Sequence, residues 1–169
     1  MLEGGDKRSI GRSNEVVARV LETPSLMAIL FSGMSSPDPI VRMRCADAAE
    51  KATALHPEYL GPYKSTLIET LAKTEQKEVR WHVAPMLARL PLSTAEQKCV
   101  VEILLGYLND RSSIVKTLAM QALADLAMRS DALRPLVLQH IRELVVIRTP
   151  AMRARGKKLV NRLATRDIR

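Results

Sequence analysis

Three histidines, two cysteines and one acidic pair are the residues of this 169-residue chain best suited to chemistry. His56, His82 and His140 stand 26 and 58 residues apart. None of them has a partner at the three- or four-residue spacing that puts two metal ligands on one helix face. Cys45 and Cys99 have no neighbouring histidine. The spacing therefore predicts neither a metal site nor a bound cofactor. Asp47 and Glu50 are three apart in an apolar-periodic stretch, which makes them helix-surface neighbours in water rather than a catalytic acid and base. The run Gly5-Asp6-Lys7-Arg8-Ser9-Ile10-Gly11-Arg12-Ser13 imitates a phosphate loop, but it is one residue too long, has Arg12 where Lys belongs, and follows no strand. Neither the nucleophile-elbow nor the dinucleotide glycine pattern occurs. No residue is assigned a catalytic role, and the expectation is a protein that is not an enzyme.

Charge is the second chemical feature. Lys and Arg number 26 against 18 Asp and Glu, a formal net charge of +8. Between 148 and 169 lie Arg148, Arg153, Arg155, Lys157, Lys158, Arg162, Arg166 and Arg169 with the single acid Asp167, so this segment carries +7 and the rest of the chain +1. A basic end on a near-neutral body points to an acidic partner, protein or nucleic acid. Its plainer reading is a solvated last helix whose cations suit the helix dipole. Arg155, Lys157, Lys158 and Arg162 are the candidate contacts to an acidic partner or to phosphate.

Hydrophobic residues make up 47% of the chain and aromatics 3%. The first value excludes a disordered polymer, and the second leaves Ala, Leu, Val, Ile and Met to build thin cores between close-packed helices. No apolar run reaches the ~18 residues of a membrane span, so no membrane partner is expected. Residues 1–8 are polar and include acid, which predicts no secretory signal. Two cysteines at apolar helical positions predict reduced, buried thiols and a cytoplasmic location.

The elements that must position these residues follow from an internal repeat. Val41–Ala49, Val79–Leu87, Val115–Leu123 and Met152–Val160 align without gaps, their lead positions 38, 36 and 37 residues apart. Each has an apolar lead, then a cation (Arg42, Arg80, Lys116, Arg153), then small or apolar residues four and eight places after the lead. The register continues at Ala52, Leu90, Leu126 and Leu163. Steps of four, four and three are one stripe of an α-helix. Eleven residues before each lead stand Leu30, Ile68, Leu104 and Ile141, each in an apolar helical stretch of its own. Each unit is thus two helices and a short turn.

Boundary chemistry agrees. Asp38-Pro39 and Thr149-Pro150 place an N-cap oxygen before a first-turn proline, and Ser93-Thr94-Ala95-Glu96 has the pattern of a capping box. Thr23-Pro24 ends a leading helix with Val16, Val17, Val20 and Leu21, which has no counterpart in the period. It reads as a cap over the first unit's open face. The repeated cations are expected to bond turn carbonyls or an acid such as Asp38 or Asp110, with arginine suited as a planar multiple donor.

Asp-Pro-x-Val-Arg-x-x-small-Ala in paired helices, repeated in looser form to residue 164, resembles the HEAT repeat, including its bacterial HEAT-like kind. The second unit lacks the Asp-Pro and has Pro85 inside its second helix, the third has Lys116 for the Arg, and the fourth has Met152 for the Val. The resemblance implies an all-α, right-handed α-α superhelix of about four helical hairpins plus an N-terminal capping helix. It would form one domain over 12–169 after a flexible leader at 1–11, with the capping helix at 12–22 and units near 25–56, 58–92, 93–129 and 131–164. It also implies a binding scaffold that presents second helices on a concave face to a protein partner. HEAT-like proteins that repair alkylated DNA bases make a nucleic-acid binder the alternative, and HEAT-like tetrapyrrole lyases have no residue here to support them.

Outward positions on the second helices lie three, six and ten places after each lead. They run from Arg44, Asp47 and Lys51, through His82, Pro85 and Arg89 and then Leu118, Gln121 and Asp125, to Arg155, Lys158 and Arg162. With Trp81 beside this face and Trp favoured at binding hot spots, the expected partner contacts are Arg44, Lys51, Trp81, His82, Arg89 and Gln121. The plainer reading packs Trp81 between units as core. Pro85 cannot donate to the Trp81 carbonyl, so a kink is expected there. Val145, Val146 and Ile147 on the last unit's outer face allow a weak homodimer beside a monomer.

Overall fold

The computed structural model describes residues 12–147 and 150–165, with side-chain surroundings for all of these except 146, 147, 150 and 151. The expectations for the 1–11 leader, Arg148, Thr149, Arg166 and Arg169 fall outside the described residues. Among the described residues the fold is helical and contains no strand. The chain divides into two compact units, one ending at Ala95 and the other starting at Glu96.

In the first unit, α1 (Ser13–Glu22) stops at Thr23 before a 3-10 turn at Pro24–Leu26. The proline imposes extended backbone on the residue before it. Next come α2 (Met27–Gly33) and α3 (Pro39–Leu55). The Asp38 carboxylate accepts the Ile40 N–H at 2.8 Å, and Pro39 takes the first turn, where its missing N–H costs nothing. α1, α2 and α4 (Lys77–Arg89) all pack on α3. Gly33 lets α2 come close, since a Cβ there would stand 2.4 Å from the Cys45 sulfur.

The helix expected around Leu67, Ile68 and Leu71 departs from expectation. In place of a regular α-helix, residues 57–73 run as 3-10 helix (Pro57–Tyr63), two α-helical residues (Lys64 and Ser65), a π-turn (Thr66–Thr70) and 3-10 helix again (Leu71–Lys73). Pro57 and Pro62 remove two donors, and Gly61 weakens any α-helix through them. Packing overrides the local irregularity. Leu60, Leu67 and Leu71 are buried, each stabilising by about 1.5–3 kcal/mol, and Phe31 stacks on Tyr63 at 4.0 Å.

The second unit holds α5 (Thr94–Tyr107), α6 (Ser113–Arg129), α7 (Arg134–Ile147) and α8 (Pro150–Ala164). Asp110 accepts the Ser112 N–H at 2.7 Å, and Ser112 in turn caps α6 by accepting the Val115 N–H at 3.4 Å. α6, α7 and α8 pack on one another. The repeat stripe is buried at every position except Val41 and Val160, which are half-buried.

Candidate binding surface

Two of the four repeated cations, Arg42 and Arg80, bond turn carbonyls as expected. Arg42 Nη1 donates to the carbonyls of Ser36 at 2.7 Å and Pro37 at 3.1 Å. Its Nε donates to Gln76 Oε1 at 2.7 Å, and Gln76 Nε2 reaches the Pro39 carbonyl at 2.8 Å. Arg80 Nε donates to the Thr74 carbonyl at 2.5 Å. Guanidinium groups supply several donors in a planar fork, which suits them to turn carbonyls that lie outside the helical ladders. Of the acids named as partners, Asp38 accepts the Ile40 N–H at the start of α3 and Asp110 accepts the Ser112 N–H before α6.

The outward positions are not all open to solvent. On α3 they are covered: Arg44 is 3% exposed and Asp47 7% exposed. This corrects two expectations, Arg44 as a surface contact and Asp47 as a solvated acid. The reason is steric. α1 and α4 both lie on α3, whose residues are buried without a break from Met43 to Ala49. Asp47 takes a hydrogen bond from the Ser13 hydroxyl of α1 and an ion pair from Lys51 at 2.7 Å, while Lys51 Nζ also donates to Asn14 Oδ1 at 3.0 Å. Glu50, the other acid read as solvated, is half-buried and receives Arg89 Nη2 at 2.6 Å, with Arg89 Nη1 on the Glu50 carbonyl at 3.1 Å. The sequence did carry a signal for this. Cys45, Ala46, Ala48, Ala49 and Ala52 spread small residues over about 160° of α3, wider than the ~100° stripe of a helix packed on one side.

On α4, Trp81 and His82 are half-buried, and the helix continues through Pro85 to Arg89. Burial holds the His82 imidazole below its ordinary pKa; Asp47 and Glu50 pull it back up, and Lys51 pushes it down. Of the patch expected at Arg44, Trp81, His82 and Arg89, the structure puts Arg89 and His82 beside the Asp47–Glu50–Lys51 cluster. In α6, Gln121 is half-buried and donates through Nε2 to Asp125 Oδ1 at 3.0 Å.

α8 differs from the other second helices. Met152, Gly156, Leu159 and Leu163 are buried, whereas Arg153, Arg155, Lys157, Lys158 and Arg162 are all exposed. The helix carries five cations and no acid. Among the described residues, Arg162 Nη1 pairs with Asp125 of α6 at 2.7 Å. Gly156 sits against α7, where its Cβ would come within 2.4 Å of Val145 Cγ2. Val145 therefore packs half-buried on α8 rather than standing on an open outer face, and the side chains of Val146 and Ile147 are outside the described residues.

Cys45 is buried and its thiol is pushed up to about 11 by that burial, but Cys99 is exposed, against expectation. It falls outside the α5 stripe of Val100, Val101, Leu104 and Leu108, on the side that faces water. Among the described residues no group of three or more His, Cys, Asp or Glu is placed to hold a metal ion. No helix among them is long and apolar enough to cross a membrane. No family model matches the chain, and no curated protein matches it.

Proposed function

We propose that this chain is a non-catalytic binding protein, a HEAT-like scaffold of about four hairpins and a capping helix over 12–169 that docks a polyanionic partner. The observation that carries the proposal is the surface of α8, where five exposed cations share one helix with no acid. Like charges three and four apart (Arg155 with Lys158, Arg153 with Lys157, Lys158 with Arg162) repel in the free protein. An anionic surface removes that repulsion on binding. The scaffold reading of the sequence, a concave face for a protein partner, loses Arg44 as a contact. It keeps Trp81 and Gln121 as half-exposed positions and gains its charge from Arg155, Lys157, Lys158 and Arg162. Two free thiols suit the reducing cytoplasm as its compartment.

The test is binding of a polyglutamate peptide and of duplex DNA to the full chain at low salt, compared with the variant Lys157→Glu/Lys158→Glu. Both residues are exposed, so the variant keeps its fold. Loss of binding in the variant supports the proposal. Failure of the native chain to bind either polyanion overturns it.

A further inference from the structure

We infer that α8 lies in the major groove of B-form duplex DNA, with its two cationic flanks on the phosphates of opposite strands. This rests on the polyanion-binding reading above and names the partner.

The arrangement of side chains around the helix carries the inference. Counted at about 100° per residue, the exposed positions form three rows. Arg153 and Lys157 make one flank, and Arg155, Lys158 and Arg162 make the other. Between the flanks stand Ala154, Asn161 and, one residue past the helix, Thr165, all exposed. A short central row between two rows of long cations suits a groove. An α-helix is about 10–12 Å thick and the major groove about 12 Å wide, so small side chains can approach the base edges while long ones reach the phosphate walls. An asparagine amide matches an adenine edge, and alanine and threonine methyls meet the thymine methyl. A flat acidic protein surface calls for no such small central row. A-form RNA, with its narrow deep groove, excludes the helix.

The opposite side of α8 is held firmly. Met152, Gly156, Leu159 and Leu163 are buried, and the missing side chain at Gly156 seats the helix against Val145 of α7. The helix backbone is thus already ordered, and binding has to order only the cationic side chains. Asp125 acts against binding, because it accepts Arg162 Nη1 at 2.7 Å and draws one cation back toward α6. Arg153, Arg155, Lys157 and Lys158 remain for phosphates.

Four phosphate contacts predict a slope of log affinity against log salt of about −3.6, or roughly a 150-fold loss between about 50 and 200 mM. The experiment is fluorescence anisotropy of a labelled short DNA duplex with the full chain over that range, with polyglutamate and duplex RNA as competitors. Asp125→Asn frees Arg162 and is expected to steepen the slope by about 0.9 and tighten binding. Ala154→Trp fills the central row and leaves every cation in place; its expected effect is at least a tenfold loss for DNA, with folding checked by circular dichroism. Undiminished DNA binding by folded Ala154→Trp overturns groove insertion. Stronger competition by polyglutamate or duplex RNA than by DNA overturns the partner but leaves the polyanion reading intact. No binding of any polyanion overturns both.

Discussion

Gly156 offers a direct test of how α8 is seated. A Cβ at this position would lie 2.4 Å from Val145 Cγ2, while the next atoms, Ile141 Cγ2 and Met120 Sδ, stand at 3.6 and 3.7 Å in ordinary contact. Val145 is β-branched and in a helix, so its χ1 is held to one rotamer and it cannot turn away. Gly156→Ala therefore forces α7 and α8 apart, at an overpacking cost of about 1–3 kcal/mol. Replacing an interior glycine offsets about 1 kcal/mol through helix propensity. The net expectation is a loss of about 0–2 kcal/mol. In a Val145→Ala background the obstruction is gone and the propensity gain alone remains, so the same substitution stabilises by about 1 kcal/mol. The assay is urea unfolding of the four chains of a double-mutant cycle, followed by far-UV circular dichroism, with unchanged m-values as the condition for comparison. The reasoning is refuted if Gly156→Ala has the same effect in both backgrounds to within about 0.5 kcal/mol.

Asp47→Ala removes the acceptor of the Ser13 hydroxyl and the Lys51 ammonium. A loss of about 1–3 kcal/mol is expected, with faster amide exchange across Ser13–Glu22 than across α6 as the local readout. His82 is held neutral by burial, so its folded pKa lies below the ordinary 6.5. The unfolded chain then binds the extra proton, and stability is present above that value and declines as pH falls from it toward the depressed pKa. His82→Gln should flatten the fall of the urea midpoint between neutral and mildly acidic pH, and an equally steep fall in the variant would rule the residue out as its source. In the native protein a thiol reagent should modify exposed Cys99 rapidly and buried Cys45 only after denaturation. Two fast thiols would contradict the packing of α2 on α3.

Much of the helical layout is legible in the sequence because it depends on local rules. Asp38-Pro39 starts α3 since a carboxylate and a fixed φ suit a helix opening, and Thr23-Pro24 closes α1 for the matching steric reason. The stripe from Val79 to Leu90 and its counterparts point inward because a 3.6-residue period brings them to one side. The cations Arg42 and Arg80 find turn carbonyls six residues back, within reach of their own side chains. What the chain order does not contain is which second helices are covered. Periodicity gives Arg44 and Arg155 the same place in their repeats, yet α1 and α4 enclose the first and the second faces water. Burial depends on which elements meet through space. That is a sum over distant contacts, so a window of sequence cannot report it. The same holds for Cys99, one residue off a buried stripe, and for the broken helix at 57–73, whose irregular backbone persists because Leu60, Leu67 and Leu71 are still buried. The local code thus decided where helices begin, end and turn their apolar sides. Only the packing of α1 and α4 on α3, and of α8 against α6 and α7, decided which charges are enclosed and which stand open on α8.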